Sequence, residues 1–89
     1  MKEEKVMIPN KLGMHARSAA AFAKLAATFA STIEVEKDSM RANGKSIMEL
    51  LTVAAAMGSQ ITVKADGVDE DEAIAALKAL VEDGFGEHP

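Results

Sequence analysis

The sequence predicts a two-layer α+β domain, a four-stranded antiparallel sheet carrying three helices on one face. Two stretches alternate apolar and polar residues, Thr32-Ile33-Glu34-Val35-Glu36 and Ile61-Thr62-Val63-Lys64-Ala65. Period-two alternation belongs to a sheet with one wet face and one buried face, which antiparallel sheets provide. Helical periodicity fills the intervals, so the order reads strand, helix, strand, strand, helix, strand, helix. A chain of 89 residues, 48% of them hydrophobic, has room for one modest core and is read as a single domain over 1–89.

The first strand is read at Lys5-Val6-Met7-Ile8, stopped by Pro9-Asn10. A helix follows from Ala16 to Phe29, with Phe22, Leu25, Ala26 and Phe29 on one face. Its alanines at 16, 19, 20, 23 and 27 favour helix and allow close approach to a sheet. Thr32–Glu36 is the second strand, Asp38-Ser39 a turn, and Met40-Arg41-Ala42 a short partner strand before Asn43-Gly44. Ser46-Ile47-Met48-Glu49 has the form of a capping box and opens a helix expected to reach about Met57, where Gly58 ends it. Ile61–Ala65 is the fourth strand. Asp69 with Glu72 marks the last helix start, Ile74, Leu77 and Val81 line its inner face, and Gly84 stops it. Glu87-His88-Pro89 reads as a loose tail. The residues alone leave the strand order open between a ferredoxin-like sheet and others.

The charge of −4 is unevenly spread. Residues 1–48 hold eight Lys/Arg against five Asp/Glu, and residues 49–89 hold two against nine. A mildly basic first half suits a phosphate or an acidic partner surface. With no Trp or Tyr, three Phe and no basic stripe, the chain lacks the means to stack or track nucleic acid. The absence of cysteine excludes disulfides and thiolate metal sites. The acids at 66, 69, 70, 71 and 72 lack calcium-loop spacing and are better explained by a helix start, so no metal or cofactor is expected. A charged start without an apolar signal core, and no apolar run of membrane length, give the expectation of a soluble cytoplasmic protein.

Leu12-Gly13-Met14-His15-Ala16-Arg17-Ser18 puts a histidine where a strand hands over to a helix. A helix start carries unpaired N–H groups and the positive end of the dipole, a place that favours an anion. Histidine can be both nucleophile and leaving group near neutral pH, and an arginine two residues on can hold phosphate oxygens. Histidine is also a poor choice of N-cap unless it does something more than cap. The bland alternatives are a polar cap for His15 and an ordinary exposed helix residue for Arg17. The second histidine, His88, is read as inert.

Gly13-Met14-His15-Ala16-Arg17, Asn43-Gly44-Lys45-Ser46-Ile47-Met48 and the closing helix that ends Gly84-Phe85-Gly86-Glu87 resemble the histidine-containing phosphocarrier (HPr) family of the bacterial phosphotransferase system. The resemblance covers essentially the whole chain. It implies an open-faced β-sandwich, βαββαβα, with sheet order 1-4-2-3. It implies that a phosphoryl group from phosphoenolpyruvate passes through enzyme I to Nδ1 of His15, and then to an enzyme IIA-type acceptor. A protein of this kind is a substrate of other enzymes rather than a complete enzyme, and is expected to be a monomer. Ala16 and Ser18 would surround the phosphate. Where sugar-uptake members usually carry proline after the arginine, this chain has Ser18, and a small non-proline residue there resembles the nitrogen-related regulatory branch.

The capping box explains Ser46 on its own; the resemblance adds regulatory phosphorylation by an HPr kinase/phosphorylase. Ile47, Met48, Leu50, Leu51 and Val53 are too many for one apolar stripe, so some are exposed. The resemblance makes Ile47, Met48 and Leu51 part of a docking patch beside His15; Ala20 and Lys24, a turn or more after His15 on the first helix, are placed at its rim by their position. Two other functional classes remain: a ferredoxin-like ligand-binding module, whose first strand would be central, and an interaction adaptor regulated only through Ser46, a kind of relative that lacks the active histidine.

Overall fold

The computed structural model describes residues 1–53 and 55–87. Its elements are β1 (Lys2–Met7), α1 (Ala16–Ala26), β2 (Thr32–Lys37), β3 (Met40–Asn43), α2 (Ile47–Thr52), β4 (Gln60–Asp66) and α3 (Glu70–Glu82), closed by a tight turn at Gly84–Gly86. All strand pairs are antiparallel, and the sheet order is β1-β4-β2-β3. β1 lies at an edge, which excludes the ferredoxin-like arrangement.

The alternation read from sequence sets which side chains meet the helices. Ile33 and Val35 of β2 and Ile61, Val63 and Ala65 of β4 are buried, and the register pairs Val35 with Val63 and Ile33 with Ala65. Against them pack Phe22, Ala19 and Ala26 of α1, Leu50 of α2, and Ile74, Leu77 and Val81 of α3, all buried. The close backbone approaches of α1 are to α2 and α3 within the helix layer. The other sheet face carries charge: Lys64 is opposite Glu3 on one side and Glu34 on the other, and its ammonium pairs with Glu36 at 3.0 Å. Hydrogen bonding and charge from Glu36 raise the Lys64 pKa against a smaller opposing effect of burial.

Several strand ends shift by one residue, and three boundaries differ by more from the sequence-based expectation. β1 starts at Lys2 rather than Lys5, because its charged first half zips onto β4 from Lys2↔Ala65 to Met7↔Gln60, with opposite charges facing at Glu3↔Lys64. Backbone pairing, not hydrophobicity, makes that half a strand. α1 ends at Ala26, and its last carbonyls are taken up in a tight turn through Thr28 and Phe29. α2 ends at Thr52, well short of Met57. The backbone beyond it serves the segment before α1: the Ala55 carbonyl accepts from Met14 N–H at 2.8 Å, and Gly58 and Ser59 exchange 2.8 Å bonds with Ile8. Tertiary pairing overrides local helix propensity there.

Asp69 occupies the N-cap position of α3, but its side chain does not cap the helix. Its carboxylate accepts from Ser31 Oγ and from the N–H groups of Ala30 (2.8 Å) and Ser31 (2.9 Å), tying the α1–β2 connection to the start of α3. Those bonds, the Ser31 hydroxyl foremost, hold the Asp69 carboxyl below its ordinary pKa.

Candidate functional site

Gly13 fixes the approach to α1. Its φ of +65° lies in the left-handed region, and an added Cβ would stand 2.4 Å from the Ala55 carbonyl oxygen, so only glycine lets the two loops touch. The chain then enters α1 through His15, the N-cap residue, in extended conformation. Ala19 N–H makes the first helical bond, to the His15 carbonyl at 2.8 Å. The N–H groups of the preceding turn have no partner within the helix.

His15 is half-buried and both ring nitrogens are engaged. Nδ1 accepts a long 3.4 Å bond from Arg17 N–H, and Nε2 hydrogen-bonds the Glu87 carboxylate. An ionised carboxylate can only accept, so the ring proton sits on Nε2 and the lone pair on Nδ1 faces the first turn of α1. Glu87 is itself held by Asn10, whose Nδ2 donates to Glu87 Oε1 at 2.7 Å and to the Gly13 carbonyl at 2.9 Å. Partial burial acts to raise the Glu87 pKa, but the hydrogen bonds from Asn10 and His15, with the charge of Arg17, outweigh it and bring it below the usual glutamate value. The carboxylate is ionised at neutral pH. Its tie to His15 is present above the ordinary glutamate range and is lost as pH falls through the lowered folded value.

Ala16 and Arg17 are exposed on the first turn. The Ser18 hydroxyl is turned inward, fully buried, accepting from His15 N–H at 2.9 Å and lying 2.9 Å from the Gly13 carbonyl. It therefore braces the loop that carries His15, and only the backbone N–H of Ser18 belongs to the open first turn. Farther along α1, Ala20 is half-buried and Lys24 exposed.

α2 packs beside α1. Ser46 caps it by accepting from Glu49 N–H at 3.2 Å, while the Glu49 carboxylate reaches back to Asn43 N–H at 3.0 Å rather than to Ser46. The capping box is thus half formed, and the reciprocal bond closes the preceding turn. Leu50 and Val53 are buried, whereas Ile47 (42%), Met48 (80%) and Leu51 (39%) are exposed, so the helix keeps a separate apolar face outside the core.

Among the described residues no cluster of His, Cys, Asp and Glu could hold a metal ion, and no helix is long and apolar enough to cross a membrane.

Residues 2–83 match the family model described as the PTS HPr component phosphorylation site. The chain belongs to the HPr family of phosphocarrier proteins. It is 46% identical to the phosphocarrier protein HPr of Neisseria meningitidis serogroup A over 87 residues, 98% of each chain. The crystal structure of an HPr from Thermoanaerobacter tengcongensis superposes with a TM-score of 0.95 at 46% identity, covering all of both chains. Crh of Bacillus subtilis, whose crystal structure is described as a dimer with a swapped domain, is 40% identical with a TM-score of 0.76, over 94% of this chain and 97% of that one.

Asn10 and Glu87 are the site residues that sequence patterning did not single out. Asn10 read as a strand breaker and Glu87 as part of a loose tail. The available signal was Gly84-Phe85-Gly86, two glycines around an aromatic, which can turn the chain back with an apolar anchor. His88 lies outside the described residues.

Proposed function

We propose that His15 of this HPr-family protein accepts a phosphoryl group from phosphorylated enzyme I and passes it to an enzyme IIA-type acceptor in the cytoplasm. The observation that carries the reading is the His15 ring at the N-cap of α1, its Nδ1 lone pair facing the open first turn. In the transfer, Nδ1 attacks the phosphorus in line as the P–N bond to the donor breaks. The phosphoryl oxygens then meet the first-turn N–H groups, Ala16 and Ser18 among them, and the Arg17 guanidinium. The second transfer runs the same exchange in reverse, from His15 to the acceptor. Loss of the phosphoryl group restores the original ring, so the protein is regenerated by its partners.

Ile47, Met48 and Leu51, with Ala20 and Lys24 at the rim, form the surface we assign to those partners. An exposed methionine suits a face that must fit more than one of them. Ser46, at the head of the same helix, is the residue through which an HPr kinase/phosphorylase would act. The acceptor is the finer question. A small residue, Ser18, in place of proline is what favours the nitrogen-related regulatory branch over sugar uptake; its hydroxyl braces the loop, which proline could not do.

The protein should act as a monomer, which sedimentation at working concentration checks; a stable dimer would contradict that part. A pulse-chase experiment tests the carrier role. The protein is labelled with enzyme I and phosphoenolpyruvate, then challenged with separate sugar-type and nitrogen-type IIA proteins. Label that reaches the nitrogen-type acceptor first supports the reading; label that never leaves the protein, or never enters it, refutes it.

A further inference from the structure

The tail that carries Glu87 is built in a way that a loose terminus is not. Three consecutive residues, Gly84, Phe85 and Gly86, have φ of +67°, +59° and +77°. Two are glycines, but Phe85 is a bulky residue in the left-handed region, a conformation that persists only where surrounding structure holds it. What holds it is burial: Phe85 is 6% exposed and belongs to the core. The turn packs on α3 and α1 and sends the next residue, Glu87, onto the His15 ring 72 positions away in sequence.

Asn10 completes the arrangement. Its Nδ2 faces two acceptors, the Gly13 carbonyl and Glu87, while its Oδ1 is buried with no partner among the described residues. Rotating the amide would put oxygen against two oxygens, so its orientation is determined. A buried acceptor is left unsatisfied, at a cost, while both donors of the amide are used on the site.

We infer that Glu87 is a positioning residue for phosphoryl transfer, holding the proton of His15 on Nε2 so that Nδ1 is the nitrogen that reacts. The inference rests on the proposed role of His15. When Nδ1 forms its bond to phosphorus the ring becomes cationic, and the carboxylate on Nε2–H offsets that charge. Glu87 touches neither donor nor phosphoryl group; it acts through the ring, as the partners of metal-ligating histidines fix tautomer and orientation. The competing reading makes the contact a staple that only ties the tail to the β1–α1 loop.

Chemical phosphorylation separates the two readings and needs no partner protein. The parent, Glu87→Gln and Glu87→Ala are treated with phosphoramidate, and NMR of the nitrogen and phosphorus nuclei reports which nitrogen of His15 is modified. The parent should carry phosphate on Nδ1, and Glu87→Ala should give a clear share on Nε2. Transfer from enzyme I should slow about tenfold in Glu87→Gln through kcat with KM unchanged, the low end of the effect of removing such a partner from a metal-ligating histidine. Melting curves of both variants control for the staple. An unchanged nitrogen distribution and rate in both variants, or losses that track thermal stability alone, would overturn the inference and leave His15 as the acceptor. A parent that reacts with phosphoramidate but not with enzyme I would instead overturn the carrier role.

Discussion

Replacing Gly13 by alanine should damage fold and transfer together, by an amount the geometry sets. The new methyl group would stand 2.4 Å from the Ala55 oxygen and 2.9 Å from the Ala56 Cα, where ordinary contact begins at 3.4 Å. Both neighbours are backbone, so neither can swing aside. The loops must part by about 1 Å, which breaks the 2.8 Å bond from Met14 N–H to the Ala55 carbonyl and costs on the order of 1 kcal/mol. A left-handed conformation costs a residue with a Cβ roughly 1–2 kcal/mol more. The total, about 2–3 kcal/mol, corresponds to a melting temperature lower by about 10–15 °C for a domain of this size. Because the same loop sets the N-cap, acceptance of phosphate by His15 should also slow at temperatures where the variant is still folded. Circular dichroism melting and the rate of labelling from enzyme I measure both. A variant that melts within about 3 °C of the parent, well under what such a loss implies, and accepts phosphate at the same rate would show that the loop contact does not hold His15 in place.

Arg17→Ala removes one charge-assisted contact to phosphate, worth roughly 1.5–3 kcal/mol, so transfer should slow about ten- to a hundredfold while the partner still binds; parental kinetics would refute that role. Ser46→Asp keeps an N-cap of equal quality and should fold as well as the parent. It also places charge beside Ile47, Met48 and Leu51 and should slow acceptance from enzyme I sharply, and an unchanged rate with an intact fold would leave Ser46 as a helix cap. Asp69→Asn should lower the melting temperature at neutral pH. The carboxyl of Asp69 has a depressed folded pKa, so its contribution is present above the unfolded value and is lost as pH falls through the folded one. The gap between parent and variant should therefore close on acidification, and a gap that stays constant with pH would contradict the assignment.

The sheet and its inward-facing residues were legible because period two leaves little choice: Ile33, Val35, Ile61 and Val63 could all face the core only one way. The apolar excess of α2 likewise announced its exposed face at Met48. What was not legible depends on pairing across long sequence distance. Nothing in Lys2-Glu3-Glu4 signals a strand until β4 lies beside it. Nothing after Thr52 ends a helix until Met14 and Ile8 claim the backbone of Ala55, Gly58 and Ser59. His15 and Arg17 stood out because a helix start has a local signature. Ser18 was legible as a departure from proline, but its inward hydroxyl depends on where the Gly13 carbonyl points. Glu87 escaped because its meaning comes from a left-handed turn through Phe85, a conformation that residue type disfavours.

Everything proposed for this protein depends on His15 being the residue that takes the phosphoryl group. The most direct test incubates the parent, His15→Ala and His88→Ala with enzyme I and labelled phosphoenolpyruvate, then measures label on each before and after mild acid. Acid-labile label is expected on the parent and on His88→Ala, none on His15→Ala, with melting curves for His15→Ala that show a folded protein. Acid-labile label on a folded His15→Ala protein would contradict it.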